Sequence, residues 1–122
     1  MKRFVTIALF FSVLLIAGCM GKAIPADQLS GNPGALLFNG HANSKAKCFK
    51  CHNGDGKGTS FGKDLTVVVP HRSEKMLMTI IRNGKKSMPA FGKKLSDEEI
   101  SALVTYLREA FSEDSAESPE AH

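Results

Sequence analysis

The sequence of 122 residues lacks tryptophan, has one tyrosine and contains only three cysteines. An odd number of cysteines does not fit the fully paired disulfide framework of a small secreted scaffold. No apolar run reaches the roughly 20 residues that a membrane-spanning helix needs. The length is enough for one domain and not two. A domain of this size with so few large aromatic residues has a modest core, which a large apolar cofactor would help to fill.

The N-terminus has the pattern of an export signal. Lys2 and Arg3 are followed by residues 4–17, which are almost wholly apolar. That length suits the apolar region of a signal peptide and is short for a membrane span. A transmembrane anchor is the alternative.

The signal ends in IAGC, residues 16–19, which resembles the lipobox of bacterial lipoproteins. The resemblance implies cleavage before Cys19, a diacylglycerol thioether on its sulfur and acylation of its new amino group. An ordinary signal peptide that leaves an incidental cysteine is the alternative. Because Met20 and not aspartate follows, analogy with lipoproteins favours the outer membrane, facing the periplasm. We therefore assign residues 1–18 to a lipoprotein signal peptide in a cell-envelope protein.

The remainder divides into a tether, a body and a tail. Residues 19–31 contain Gly21, Pro25 and Gly31 without a helical apolar period, which predicts a lipidated tether. Residues 112–122 carry four acids and no large apolar side chain, which predicts a disordered acidic tail. The folded body is then residues 32–111.

Three helices are predicted in that body. Asn32 can cap the first, with Pro33 at its first position. The second is predicted over residues 73–82, with Ser73 as its cap and NG as its stop signal. The last begins at the capping box of Ser96 and Glu99 and continues in an apolar stripe. Residues 66–69 are β-branched and suggest one extended segment, so the predicted class is all-α. The apolar stripes are Met76, Leu77, Ile80 and Ile81 in the second helix, and Ile100, Leu103, Val104, Leu107 and Phe111 in the last.

The motif CFKCH, residues 48–52, is typical of covalent haem attachment. Two thiols at this spacing can add to the two vinyl groups on neighbouring pyrrole rings, and one turn of chain brings both sulfurs to one edge. Cys48 and Cys51 are the predicted thioether links, and His52 is the predicted iron ligand. Zinc binding, a short disulfide and a redox-active CxxC are the alternatives, but a second cysteine pair and a βαβ pattern are both missing.

The segment NGKKSMPAF, residues 83–91, contains the preferred ligand for the other face of the iron. Met88 lies in a loop between two predicted helices, and a thioether sulfur there raises the reduction potential. His71 is the runner-up. Met76 and Met78 are also possible, although we expect Met76 to fill the core.

At this point the chain resembles class I cytochromes c over roughly residues 32–111. GALLF (34–38), CFKCH, GDGKG (54–58), the Met88 loop and LVTYL (103–107) occur in the family's order. The resemblance implies helices wrapped round one haem c, with the first and last helices crossing closely at Gly34. Together with the lipobox, it is closest to small monohaem lipoprotein cytochromes, some of them similar to cytochrome c6. Lys63 replaces the proline of the family's G-P-x-L, which leaves open what orients His52. The candidate residues for the apolar wall round the haem are Leu65, Ile80, Ile81, Phe91 and Leu95.

These features predict a monomeric one-electron carrier and not an enzyme. The alternative is a ligand-sensing or peroxidase-like haem protein, which needs an open or labile sixth position on the iron; a subunit of a larger oxidoreductase is a third possibility. Residues 30–110 hold thirteen basic and seven acidic side chains, which suggests an acidic redox partner. A solvated loop whose lysines serve only solubility is the alternative. Nucleic acid is not a sensible partner for an exported lipoprotein. The basic residues flanking the Met88 loop are Lys85, Lys86, Lys93 and Lys94.

Overall fold

A computed structural model describes residues 20–112 of the chain. The predicted signal peptide, Cys19 and residues 113–122 of the predicted tail lie outside the described residues. Within residues 20–112 the regular structure is helical, with isolated antiparallel bridges at Thr59–Gly62 and Lys85–Met88 and no strand. This confirms the predicted all-α class. None of the helices in this range is long and apolar enough to cross a membrane. The helices are α1 (Pro33–Phe38), α2 (Phe49–His52), α3 (Leu65–Val68), α4 (Glu74–Asn83) and α5 (Asp97–Phe111), with 3-10 turns at Ala26–Gln28 and Val69–His71.

The N-terminal caps form as the sequence indicates. Asn32 accepts from the backbone N–H of Ala35 at the start of α1, and Ser73 accepts from that of Met76 at the start of α4. Ser96 and Glu99 complete a reciprocal capping box on α5. Each cap satisfies an N–H that the first helical turn would otherwise leave without a partner.

The core lies where α1 and α4 pack against α5. Gly34 of α1 makes the closest approach, because a Cβ there would overlap the carbonyl oxygen of Ala102 and lie 3.0 Å from its carbonyl carbon. Next to the crossing, the ring of Phe38 lies 5.7 Å from that of Tyr106 and 6.1 Å from that of Phe111. The predicted close crossing of the first and last helices at Gly34 is therefore present. The buried residues of α5 are Ile100, Leu103, Val104, Leu107 and Phe111, the whole predicted stripe.

Residues 66–69 are helical and not extended, so that prediction was wrong. Asp64 accepts a hydrogen bond from the backbone N–H of Thr66 at 2.9 Å and caps the short helix α3. A 3-10 turn follows directly, with Pro70 inside it. The local cap outweighs the β preference of a valine run, since that preference depends on a neighbouring strand to pair with.

Met76 was expected in the core, but the structure exposes 47% of it. Leu77 and Ile81, four residues apart, turn the buried face of α4 toward α5, which places Met76 outside that face.

Residues 19–31 were assigned to a tether, but residues 21–24 pack against the body. Their backbone is hydrogen-bonded to residues 48–54, here called the haem-motif segment, and to Asn39. Leu29 is 8% exposed and belongs to the buried apolar residues.

Candidate functional site

The residues of CFKCH form one compact turn. Cys48 precedes α2, and its carbonyl accepts from the backbone N–H of Cys51 at 3.3 Å and of His52 at 3.0 Å. Helical spacing places Cys48 and Cys51 on one side of the turn, with His52 next to them. Cys48 and Cys51 do not form a disulfide. The described residues bring no three His, Cys, Asp or Glu side chains together, as a zinc site would require.

The Cys48 sulfur lies in apolar surroundings. Burial raises the pKa of this thiol to about 12, although the residue as a whole is half-buried. Cys48 also packs against the hydrophobic core. Such surroundings favour a neutral thiol or thioether over a thiolate. They do not suit a redox-active or zinc-binding cysteine, which works as the thiolate.

His52 has the orientation that an iron ligand needs. Its Nδ1 lies 2.9 Å from the carbonyl oxygen of Lys63 and donates to it, which leaves Nε2 free to face a metal. The proline that is missing at position 63 is therefore not required, because the acceptor is a backbone carbonyl that any residue supplies. The sequence left this acceptor open, and the structure identifies it.

The loop that supplies this carbonyl is held tightly against α2. Thr59 donates its hydroxyl to the carbonyl of Cys51 at 2.7 Å, and Leu65 donates its N–H to the carbonyl of Gly56 at 2.7 Å. At Gly62 a Cβ would stand 2.6 Å from the Cys51 carbonyl oxygen, so only glycine lets the two segments lie this close. The position of the Lys63 carbonyl is thus fixed from both sides.

Met88 lies in a closed loop. Lys85 and Met88 exchange two backbone hydrogen bonds, of 3.1 and 2.9 Å, round a tight turn in which Lys86 has a φ of 53°. Past the turn, Phe91 donates to the carbonyl of Ile81 at 2.9 Å and so ties the loop back to α4. Met88 is half-buried and packs against the core.

The other candidate ligands occupy different settings. His71 is exposed in the 3-10 turn before α4, and Met76 is exposed on α4. Met78 is half-buried and packs against the core, so its burial alone does not distinguish it from Met88. Among the wall candidates, Ile81, Phe91 and Leu95 are buried in the core cluster, Leu65 packs against it and Ile80 is half-buried.

The side chain of Arg72 is a feature that the sequence did not indicate. Its Nε is buried and finds no hydrogen-bond partner in the described part of the chain. A buried guanidinium nitrogen without an acceptor is costly. It fits a cofactor that brings carboxylates, and haem carries two propionates.

Comparison with known proteins identifies the family of this chain. Residues 35–107 match the family described as cytochrome c oxidase, cbb3-type, subunit III. A cytochrome c6 of Aphanizomenon flos-aquae is 34% identical over 88 residues, covering 69% of this chain and 91% of its own. One from a Synechococcus species is 31% identical over 111 residues, covering 88% and 91%. This chain therefore belongs to the class I c-type cytochromes. The solved cytochrome c6 of the diatom Phaeodactylum tricornutum matches this cytochrome with a TM-score of 0.51 at 32% identity, over 64% of this chain and 91% of its own.

The cofactor of this cytochrome is one covalently attached haem c. Cys48 and Cys51 supply the attachment motif, His52 stands beside them with Nε2 available, and apolar side chains of α4 and the Met88 loop form a core next to the turn. These residues fit the group in their chemistry and in their order along the chain.

Proposed function

We propose that this cytochrome is a one-electron carrier of the cell envelope, with His52 and Met88 as the two axial ligands of its haem iron. The haem supplies the one-electron couple, and the protein tunes it through ligands, burial and hydrogen bonds. The observation that supports this most is the pair of fixed ligand settings. His52 is oriented by the Lys63 carbonyl, and Met88 is held in a loop closed at both ends.

A carrier benefits from ligands that do not move when the charge changes. Electron transfer makes and breaks no bond, so a rigid site lowers the rearrangement that accompanies it. The two backbone hydrogen bonds between Lys85 and Met88, and the bond from Phe91 to Ile81, restrict the Met88 loop. A ligand sensor or peroxidase would instead need a loosely held sixth ligand.

The test compares carbon monoxide binding to the reduced protein in three forms. We expect the wild type to bind slowly or not at all, and Met88→Ala to bind rapidly, because the substitution opens the sixth position. Met78→Ala is the matched control, since it removes the other half-buried methionine that packs against the core. Rapid binding by the wild type would favour a sensing or peroxidase-like protein. Rapid binding by Met78→Ala alone would show that Met78 is the ligand.

A basic patch made of Lys85, Lys86, Lys93 and Lys94 is the proposed docking surface for an acidic redox partner. All four residues are exposed. The Lys94 ammonium lies 5.4 Å above the Phe91 ring, which keeps that charge next to the Met88 loop. The one ion pair found between residues 20 and 112, Arg82–Asp97, leaves the patch without acidic partners. Its charge is therefore available for long-range steering.

Charge reversal tests this docking surface. We expect Lys85→Glu with Lys93→Glu to slow electron exchange with an acidic partner and to flatten its dependence on ionic strength. Lys75→Glu is the control, because Lys75 is exposed near the first turn of α4, about 12 Å along the helix from its last residue. An unchanged salt dependence in the double variant would refute the docking role.

The membrane attachment is proposed from the sequence. Export followed by lipidation of Cys19 would place the domain on a bilayer, in the outer membrane facing the periplasm. Attachment through several acyl chains is stable, whereas one chain binds only weakly. The mass of the mature protein tests this directly. A mass that lacks the diacylglycerol group, or that retains residues 1–18, would refute it.

A further inference from the structure

We propose that residues 20–24 form a strap that holds the haem-motif side of the domain against the lipid headgroups, instead of a free tether. This inference rests on the lipid anchor at Cys19 that is proposed above. The bilayer that carries the anchor is the partner, and the segment 20–24 with the neighbouring turn 48–54 is the surface that faces it.

Three hydrogen bonds join the backbone of this strap to the haem-motif segment, two of them to backbone groups and one to a side chain. Gly21 donates its N–H to the carbonyl of Lys50 at 2.9 Å, which lies between the two haem-attaching cysteines. Lys22 donates its N–H to Oδ1 of Asn53 at 2.8 Å, and its carbonyl accepts from Gly54 at 2.9 Å. The strap is therefore bonded on both sides of His52.

The strap and the turn 48–54 lie so close together that each needs a glycine at the point of contact. A Cβ on Gly21 would overlap the carbonyl oxygen of Phe49 and lie 2.8 Å from the Cα of Asn53. A Cβ on Gly54 would stand 2.7 Å from the carbonyl oxygen of Lys22. In the sequence Gly21 suggests a flexible linker, but here it allows two backbones to lie in contact.

Asn39 shows that the body depends on the strap. Only 2% of this residue is exposed, so its amide needs partners inside the protein. Its Oδ1 accepts from the backbone N–H of Ile24 at 2.8 Å, and its Nδ2 donates to Ala35 at 3.0 Å. The carbonyl of Ile24 also receives a hydrogen bond of 2.8 Å from Nε2 of His41. Removing the strap would take away the donor that Oδ1 of Asn39 has in the folded protein.

The number of residues between anchor and strap sets the distance to the membrane. Cys19 and Gly21 are two residues apart, so their Cα atoms are separated by at most about 7 Å. If residues 20–31 were instead a free coil of 12 residues, it would span about 17–21 Å on average. The strap therefore holds the domain at the headgroups.

The charge near the anchor suits a membrane surface. Lys22 in the strap is exposed, and Lys50, whose carbonyl accepts from Gly21, belongs to the turn 48–54. Basic side chains so close to a lipidated residue favour anionic headgroups. A bilayer with phosphatidylglycerol is thus the surface to test.

Hydrogen exchange on the haem-loaded, lipidated protein in phosphatidylethanolamine–phosphatidylglycerol nanodiscs tests the strap. We expect the amides of Gly21, Lys22 and Ile24 to exchange about 100-fold more slowly than unprotected amides. The reason is that the three hydrogen bonds that protect them must break together before exchange can occur. Gly21→Ala should abolish this protection and leave the haem spectrum unchanged. Ala26→Ser is the matched control, because it also adds one heavy atom but at an exposed site in the 3-10 turn that follows the strap. Unprotected amides in the wild type would overturn the strap.

Neutron reflectometry on supported bilayers of the same lipids measures the separation between protein and headgroups. We expect a gap below about 10 Å for the wild type and for Ala26→Ser, growing toward about 15–18 Å in Gly21→Ala, where residues 20–28 would be free while Leu29 stays buried. A wild-type gap near 20 Å with protected amides would overturn the membrane placement. Protected amides in a protein whose mass lacks the lipid would also overturn that placement, and would show that the proposed anchor failed while the strap itself exists.

Discussion

The hydrogen bond between His52 and Lys63 gives the sharpest single prediction, because one methyl group can disturb it. In Gly62→Ala the added Cβ would stand 2.6 Å from the Cys51 carbonyl oxygen and 2.9 Å from the Cys51 Cβ. Ordinary contact begins near 3.4 Å, so the segment that carries Lys63 must shift by about 0.8 Å. A shift of that size along the bond would lengthen it from 2.9 Å to about 3.7 Å, beyond hydrogen-bond range.

The substitution should therefore lower the Tm and raise the reduction potential. Overpacking of this kind costs about 1–3 kcal/mol, and each kcal/mol lowers the Tm of a domain this size by about 4–8 °C. If His52 is the iron ligand, as proposed, the Nδ1 hydrogen bond would make the imidazole a stronger donor and stabilise ferric iron over ferrous. If its loss removes about 1 kcal/mol of that preference, the reduction potential rises by about 40 mV.

Spectroelectrochemical titration of Gly62→Ala beside Lys63→Ala measures the effect. Lys63→Ala keeps the backbone carbonyl and removes an exposed charge, so any change in its potential should be downward. A rise of some tens of millivolts in Gly62→Ala only is the expected result. If Gly62→Ala lowers the Tm but both variants keep the wild-type potential, the hydrogen bond does not tune the haem.

Three further predictions concern the scaffold. Gly34→Ala should lower the Tm by several degrees, since overpacking costs about 1–3 kcal/mol against a gain of up to about 1 kcal/mol in helix propensity. If the Tm of Gly34→Ala is no lower than that of the exposed-site control Ser101→Ala, the close crossing is contradicted. Ser96→Ala should cost about 1 kcal/mol of unfolding free energy in a denaturant titration, and an unchanged midpoint would mean that the cap is dispensable. Hydrogen bonds from the backbone N–H of Ser96 and from the side chain of Asn43 lower the pKa of Glu99. Because the pKa is lower in the folded state, the ionised carboxylate stabilises the fold at pH values above the ordinary glutamate range. This stabilisation is lost as the pH falls through the folded-state pKa. The Tm of Glu99→Gln should therefore fall less between neutral and acid pH than that of the wild type, and parallel curves would refute the effect.

Much of the fold could be predicted because its signals are local. The capping box at Ser96, the stripe ending at Phe111 and the NG stop after α4 each depend on residues a few positions apart, and all three form as predicted. The attachment motif is local as well. The identity of the sixth ligand stays a prediction, although the Met88 loop has the closed geometry that it requires.

The features that were missed depend on contacts between distant parts of the chain. Gly21 suggested a linker because sequence alone cannot show that Phe49 and Asn53 lie against it. The partner of Asn39 is 15 residues away, and the partner of His52 is a backbone carbonyl, which leaves no mark in the residue type. Arg72 gave no signal either, since charged residues are usually exposed and its burial depends on the folded chain.

The absorption spectrum of the oxidised protein at neutral pH tests the central claim most directly. Iron bound by His52 and Met88 should be low-spin and should show the weak far-red band of a sulfur-to-iron transition, which Met88→Ala should lose and Met78→Ala should keep. A low-spin spectrum without that band in the wild type would contradict methionine ligation and indicate a second nitrogen ligand such as His71. A high-spin spectrum would contradict the carrier itself.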